Sequence, residues 1–193
     1  MNGIDVLKQQ LTVVHAMYQS HVGQISPSEW VARPLPTLNL PGFTAWHMLA
    51  SQDWSTHVAI LGQPEVRSSP RWKDLPGINP DHPPFGMTLA QADAIARAAT
   101  PTELLAYAED LHANMMALLD TLQDADLDRV CNVRAHARAY PAERINEDYL
   151  REAENMADWT IARHFTSPCI GHARGHFGEL ELHLALVRAV PTA

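Results

Sequence analysis

Four long stretches of this chain place apolar residues at the three- and four-residue spacing of an amphipathic helix. In residues 4–22, Leu7, Leu11 and Val14 recur along one face. The other stretches are residues 42–61, 100–122 and 169–189. No stretch of any length alternates apolar and polar residues as a strand would. We therefore predict an all-α fold, a four-helix bundle with extra short helices and long irregular connections.

The intervening segments are expected to be shorter helices or irregular chain. Residues 88–98 read as one short helix and residues 145–165 as one helix or two. Residues 24–41 and 124–144 are expected to be irregular, and the six prolines of residues 62–87 predict an irregular flap that borders a pocket. A length of 193 residues, 46% of them hydrophobic, fits a single domain over residues 1–193.

Three helix starts have local signals. Thr88 is a candidate cap for the short helix, and Thr100 with Glu103 forms a capping-box pattern. Ser167 and Pro168 are expected to be the cap and first turn of the last helix, which would then begin at residue 169.

A pair of histidines lies four residues apart in the last predicted helix. At about 100° per residue, His172 and His176 share one side of that helix, beside the apolar Leu180 and Leu184. Neutral imidazoles at the edge of a buried helix face are suitable ligands for a first-row divalent metal. Taken alone, such a pair more often arises by chance or caps a polar network than binds a metal.

A third histidine strengthens the metal hypothesis. His47 lies on the apolar stripe of residues 42–61, where an unpaired imidazole would cost about 1–3 kcal/mol. A metal shared with His172 and His176 would satisfy all three rings. The alternative is a core histidine that hydrogen-bonds to a backbone carbonyl or to Ser51, one turn below. Three histidines on two apolar stripes favour the metal site.

The last helix also carries Gly171, Gly175 and Gly178 on one face. Each costs roughly 1 kcal/mol relative to alanine in a helix interior, so the three together need a compensating reason. Either another helix crosses closely there, or the face leaves room for a ligand.

The charge distribution excludes two classes of partner. The net charge is −8, and residues 100–193 hold 15 acidic against 8 basic side chains. Nucleic acids and anionic membrane surfaces are bound by clustered Lys and Arg, which this acidic half lacks. We expect neither kind of partner.

The remaining composition predicts a cytoplasmic protein. No apolar run approaches the roughly 20 residues that span a bilayer, and the N-terminus lacks a basic region followed by an apolar one. Cys131 and Cys169 are the two cysteines, without C-x-x-C spacing, so neither a disulfide framework nor a zinc-cysteine cluster is expected.

Two short motifs resemble those of the DinB/YfiT-like superfamily of metal-dependent proteins. They are Trp46-His47 early in the second long helix and His172-x-x-x-His176-Phe-Gly-Glu-Leu in the last. The resemblance implies a four-helix bundle in which His47, His172 and His176 ligate a divalent ion. By this resemblance the ion is nickel or zinc, with iron and manganese as alternatives.

Three histidine ligands leave at least one coordination position open for water or a substrate atom. A bound metal lowers the pKa of its water to about 7, which predicts a hydrolase-type enzyme acting on a small molecule. Glu179 is the candidate proton acceptor, because it shares the histidine arc.

Two other functions stay open. The resemblance implies a transferase or isomerase that uses a low-molecular-weight thiol, whose carboxylates would need cations such as Arg174 or Arg163. A non-catalytic module stabilised by its metal is the third function, and Glu179 closing the coordination shell would favour it. Bundles of this kind often pair through helix faces, which leaves a homodimer open.

Overall fold

The computed structural model describes residues 2–33, 35–79 and 81–189. Within these ranges the regular structure is helical, apart from one isolated antiparallel bridge between Val130 and Thr160. The α-helices are α1 (Gly3–Gly23), α2 (Pro27–Trp30), α3 (Pro41–Asp53), α4 (Leu89–Ala98), α5 (Pro101–Asp120), α6 (Val133–Arg138), α7 (Glu147–Asn155), α8 (Ile161–His164) and α9 (Ala173–Ala189). π-helical segments cover Trp54–Leu61 and Phe165–His172, and 3-10 turns cover Val66–Ser68, Asp124–Asp128 and Ala142–Arg144. The all-α prediction is confirmed.

Four long helices form the core: α1, α3, α5 and α9. Helix α1 packs against α5 and α9, and α3 packs against the same two, so the four close into a bundle. The predicted apolar stripe of α1 is buried, with Leu11 and Val14 at most 2% exposed, and Leu104 and Leu111 of α5 are fully buried. No helix of the described ranges is long and apolar enough to cross a membrane.

Side-chain caps start α4 and α5 where the sequence predicts them. The Thr88 hydroxyl accepts a hydrogen bond from the Gln91 N–H at 3.3 Å. The Thr100 hydroxyl accepts one from the Glu103 N–H at 3.2 Å, and the Glu103 carboxylate accepts one from the Thr100 N–H at 3.1 Å. Each cap stabilises its helix by about 1 kcal/mol. Both predicted helix starts are confirmed.

Two connections expected to be irregular contain short helices. Helix α2 lies within residues 24–41 and is capped by Ser26, while α6 lies within residues 124–144. Helix α6 buries Val133 and Ala137 and packs against α7 and the π-helical segment that follows α3. The expectation of irregular chain was wrong at these places, because a buried apolar pair outweighs the charged local composition.

The last bundle helix begins earlier than the sequence predicts. Thr160 caps it, with its hydroxyl accepting a hydrogen bond from the Arg163 N–H at 3.3 Å. Pro168 therefore lies inside the helical run formed by α8, the π-helical segment and α9. Proline has no N–H to donate, and the wider π-helical turn accommodates that loss. The predicted start at Cys169, capped by Ser167, was wrong.

A buried carboxylate at the end of α3 fastens residues 62–87 to the bundle. Asp53 is fully buried and accepts hydrogen bonds from the N–H groups of Val66 and Arg67 at 2.9 and 3.0 Å. The Tyr107 hydroxyl donates a third at 2.5 Å, and His57 Nδ1 lies 2.8 Å away. Burial alone would raise the pKa of Asp53, but the contacts with His57 and Tyr107 outweigh it and lower that pKa.

Candidate metal centre

Three histidines from two helical runs meet at one side of the bundle. His47 is on α3, His172 ends the π-helical segment and His176 is in the first turn of α9. His172 Nε2 lies 3.2 Å from His47 Nε2 and 3.0 Å from His176 Nε2. One ligand nitrogen from each ring lies within 4.8 Å of the other two. The structure therefore brings together the three residues that the sequence singles out.

The spacing of these nitrogens fits a divalent metal ion. Zinc–nitrogen bonds of about 2.0–2.1 Å place two ligand nitrogens about 2.9 Å apart at a right angle and about 3.4 Å apart at a tetrahedral angle. The two observed Nε2 separations, 3.0 and 3.2 Å, fall within that interval. Three converging imidazole nitrogens cannot all be satisfied by sharing protons among themselves, whereas one cation satisfies all three.

Burial keeps two of the rings in the form that binds metal. Burial, followed by the neighbouring imidazoles of His172 and His176, lowers the pKa of His47 to about 3. Burial, followed by His176, lowers the pKa of His172 to about 4. Both rings are neutral at pH 7, so a metal ion does not compete with a proton for their lone pairs.

Glu179 contacts the far nitrogen of His176. Its Oε2 lies 2.5 Å from His176 Nδ1, so the ring donates its Nδ1 proton to the carboxylate and turns the Nε2 lone pair toward the other histidines. This hydrogen bond is the main cause that lowers the pKa of Glu179. The other oxygen, Oε1, lies 3.6 Å from Nε2 of the buried His183. The Glu179 carboxylate therefore binds the ring nitrogen of His176 that faces away from the cluster, as the outer partner of a metal-binding histidine does.

A cavity opens beside the three-histidine cluster. It has a volume of about 400 Å³, and His47 and His172 are both in its wall. Trp54 and Trp159 contribute aromatic walls, and Phe85 lines it from residues 62–87. The prediction that this proline-rich segment borders a pocket is confirmed.

Helix α7 supplies cavity residues that sequence reasoning missed. Asp148, Arg151 and Glu152 all line the cavity. Gly86 faces them with a φ of +75°, and a Cβ there would lie 2.5 Å from Asp148 Cβ, so this position needs glycine. The three-and-four spacing on α7 shows that the polar residues share a side, but nothing local indicates what that side faces.

The three glycines at the end of the π-helical segment and in α9 were expected to allow either a close helix crossing or space for a ligand. The described residues fit neither expectation. A Cβ built on Gly175 or Gly178 meets no atom within 4 Å, and one on Gly171 meets only the Thr166 carbonyl at 3.2 Å. All three positions are exposed, and none lines the cavity. Among the described residues, these positions therefore form neither a close helix crossing nor part of the cavity wall.

The cations suggested for a thiol cosubstrate lie outside the cavity wall. Arg174 donates a hydrogen bond to Gln10 at 2.6 Å, and the Arg163 guanidinium lies 4.3 Å over the Trp159 ring. His164 is fully buried, and its Nδ1 lies 3.0 Å from the Ser55 hydroxyl.

A family model described as the DinB superfamily matches residues 10–180, which include all three histidines of the cluster. No curated protein and no solved structure gives a significant match.

Proposed function

This chain belongs to the DinB superfamily, and from that premise and the geometry of the site we propose that it is a metal-dependent enzyme of hydrolase type acting on a small molecule. The supporting observation is that His47 and His172 belong both to the three-histidine cluster and to the wall of the cavity. A metal held by three protein nitrogens keeps a coordination position for another ligand, as catalytic zinc sites do.

His47, His172 and His176 are the proposed ligands. Imidazole donors suit zinc, copper, iron and nickel. The resemblance to the DinB superfamily implies zinc or nickel, which are the proposed ions, with iron or manganese as alternatives. A divalent ion bound there supplies Lewis-acid chemistry, the activation that ester or amide hydrolysis needs at neutral pH.

The other residues of the site have distinct proposed tasks. Glu179 fixes the ring of His176 through the 2.5 Å contact at Nδ1, which makes it a positioning residue. Its role as proton acceptor stays a prediction. Ser51 is in the cavity wall one turn from His47, where its hydroxyl is placed to hydrogen-bond a polar substrate atom. Trp54 and Trp159 exclude water from that wall.

Two observations favour this function over the alternatives. The single guanidinium of the cavity, Arg151, is 2.5 Å from the Asp148 carboxylate, which leaves it poorly suited to a cosubstrate rich in carboxylates. A structural metal would require a closed shell, whereas the Glu179 carboxylate contacts the Nδ1 ring nitrogen of His176.

Hydrolysis of chromogenic p-nitrophenyl esters and p-nitroanilides tests the proposal. We would assay chelator-treated protein before and after loading with zinc, nickel, iron(II) or manganese(II). Turnover is expected after loading in the wild type and in His15→Ala, whose ring lies outside the cluster, and not in His172→Ala. Equal rates with and without metal, or no turnover with any ion, would overturn the proposal. Metal-dependent thiol conjugation in place of hydrolysis would support the transferase.

A further inference from the structure

The proposed function leaves the class of small molecule open, and the cavity wall restricts it. We propose that the substrate has an apolar, ring-sized body and, at the end away from the histidines, a neutral or cationic group and not an anionic one. This inference rests on the proposed function only for which end of the substrate faces the metal.

The apolar part of the wall is mostly aromatic. Trp54 and Phe85 meet edge to face, with ring centroids 5.0 Å apart at 82°. The indole N–H of Trp54 donates to the Tyr149 hydroxyl at 3.3 Å, so the one polar atom of this side chain is already engaged. Trp159 and Met156 continue the apolar wall. Such a surface binds an apolar body through burial of area and through aromatic contact.

The volume sets the size of that body. A cavity of about 150 Å³ lined by apolar side chains holds benzene. The space beside the histidines is about 400 Å³, which accommodates a ring with a short substituent at each end.

The charged side chains of the cavity wall among the described residues come from α7. Arg151 and Asp148 pair at 2.5 Å and neutralise each other. Glu152 also lines the cavity, and it has no ion pair within residues 2–33, 35–79 and 81–189. Apart from the proposed metal ion, the described part of the wall therefore presents one uncompensated carboxylate and no uncompensated cation. A ligand with an anionic far end is repelled by Glu152, and one with an ammonium group is attracted.

Hydroxamates with a metal-binding head and a variable tail test both parts. We would measure their dissociation constants for the metal-loaded protein by calorimetry, with acetohydroxamate as the head alone. Benzohydroxamate should bind about tenfold tighter or more, because it buries a ring. The 4-aminomethyl derivative should bind about fivefold tighter than the 4-carboxy derivative. Equal affinity for acetohydroxamate and benzohydroxamate, or preference for the 4-carboxy compound, would overturn the inference.

Two variants assign the preference to a residue. Glu152→Gln should abolish most of the difference between the 4-aminomethyl and 4-carboxy compounds. Glu147→Gln, an exposed carboxylate of the same helix outside the cavity wall, should leave it unchanged. An unaltered difference in Glu152→Gln, or an equal loss in both variants, would remove Glu152 from the inference.

A metal-free arm separates this inference from the proposed function. 4-Methylbenzylamine and 4-methylbenzoate have the ring and the charged end without the hydroxamate head, and binding to chelator-treated protein is followed by tryptophan fluorescence. Preference for the amine, lost in Glu152→Gln, supports the inference even if no metal binds and the proposed function fails. Preference for the benzoate would contradict it whatever the metal content.

Discussion

Oε2 of Glu179 lies 2.5 Å from Nδ1 of His176, on the side of the ring opposite the other two histidines. The contact fixes the tautomer and the orientation of the His176 ring. The partially exposed Glu179 carboxylate is therefore a positioning group of the site and not one of its ligands. Because the two residues are three apart on α9, one helical turn organises both the ligand and its support.

Removing this carboxylate should weaken metal binding. In Glu179→Ala we expect the affinity for zinc or nickel to fall about 10- to 100-fold, because outer partners of metal-binding histidines contribute that much. Competition with a chromophoric chelator measures it. Glu181→Ala is the matched control, since this carboxylate of α9 pairs with His21 outside the cluster. Equal affinities for Glu179→Ala and the wild type would contradict the proposed role.

Asp53 should carry a large share of the stability of the fold. Asp53→Ala removes the acceptor of the Val66 and Arg67 N–H groups and leaves them unpaired in the interior. We expect the free energy of unfolding to fall by about 3–5 kcal/mol, as when one partner of a buried ionic network is removed.

Urea denaturation provides the comparison. Asp120→Ala is the control, because Asp120 pairs with Lys8 at the surface and should cost about 1 kcal/mol or less. Similar losses in the two variants would show that the network around Asp53 is not an anchor for residues 62–87.

His164 should make the fold sensitive to acid. Burial, followed by the charge of Arg163, lowers the pKa of His164 to about 4, below its value of about 6.5 in the unfolded chain. The folded state then binds fewer protons, so the stability from this residue is complete above pH 6.5 and is lost as the pH falls toward 4.

The expected size is about 3 kcal/mol at the acid end of that range. Unfolding free energies of the wild type and His164→Gln, measured at several pH values, give the comparison. The wild type should lose more stability than the variant between pH 6.5 and 4, and the two should have parallel curves above pH 7. Parallel curves at all pH values would contradict the assignment to His164.

Local sequence signals predicted the bundle and singled out the residues of the three-histidine cluster, because both follow from helical periodicity. The pairing of His172 with His176 is a four-residue spacing, and His47 was identified by its place on an apolar stripe. Thr88 and Thr100 predicted two helix starts correctly, since a cap depends on the next three residues only.

Features set by distant packing were not predictable in this way. The local sequence around Pro168 is typical of a helix start, yet this residue lies in the middle of the π-helical segment. The anchoring role of Asp53 depends on N–H groups 13 and 14 residues away in the chain. Glu152 and Trp159 line the cavity through the arrangement of α7 and α8, which no spacing in the sequence specifies.

Metal content is the measurement that tests the central claim most directly. Untagged protein would be incubated with zinc, nickel, iron(II) and manganese(II) and then desalted. Its bound metal would be measured by elemental mass spectrometry. We predict about one divalent ion per chain in the wild type and in His15→Ala, and loss of that ion in the His172→Ala/His176→Ala double variant, which stays folded by circular dichroism. A wild type without metal, or a double variant that keeps it, would contradict the three-histidine site.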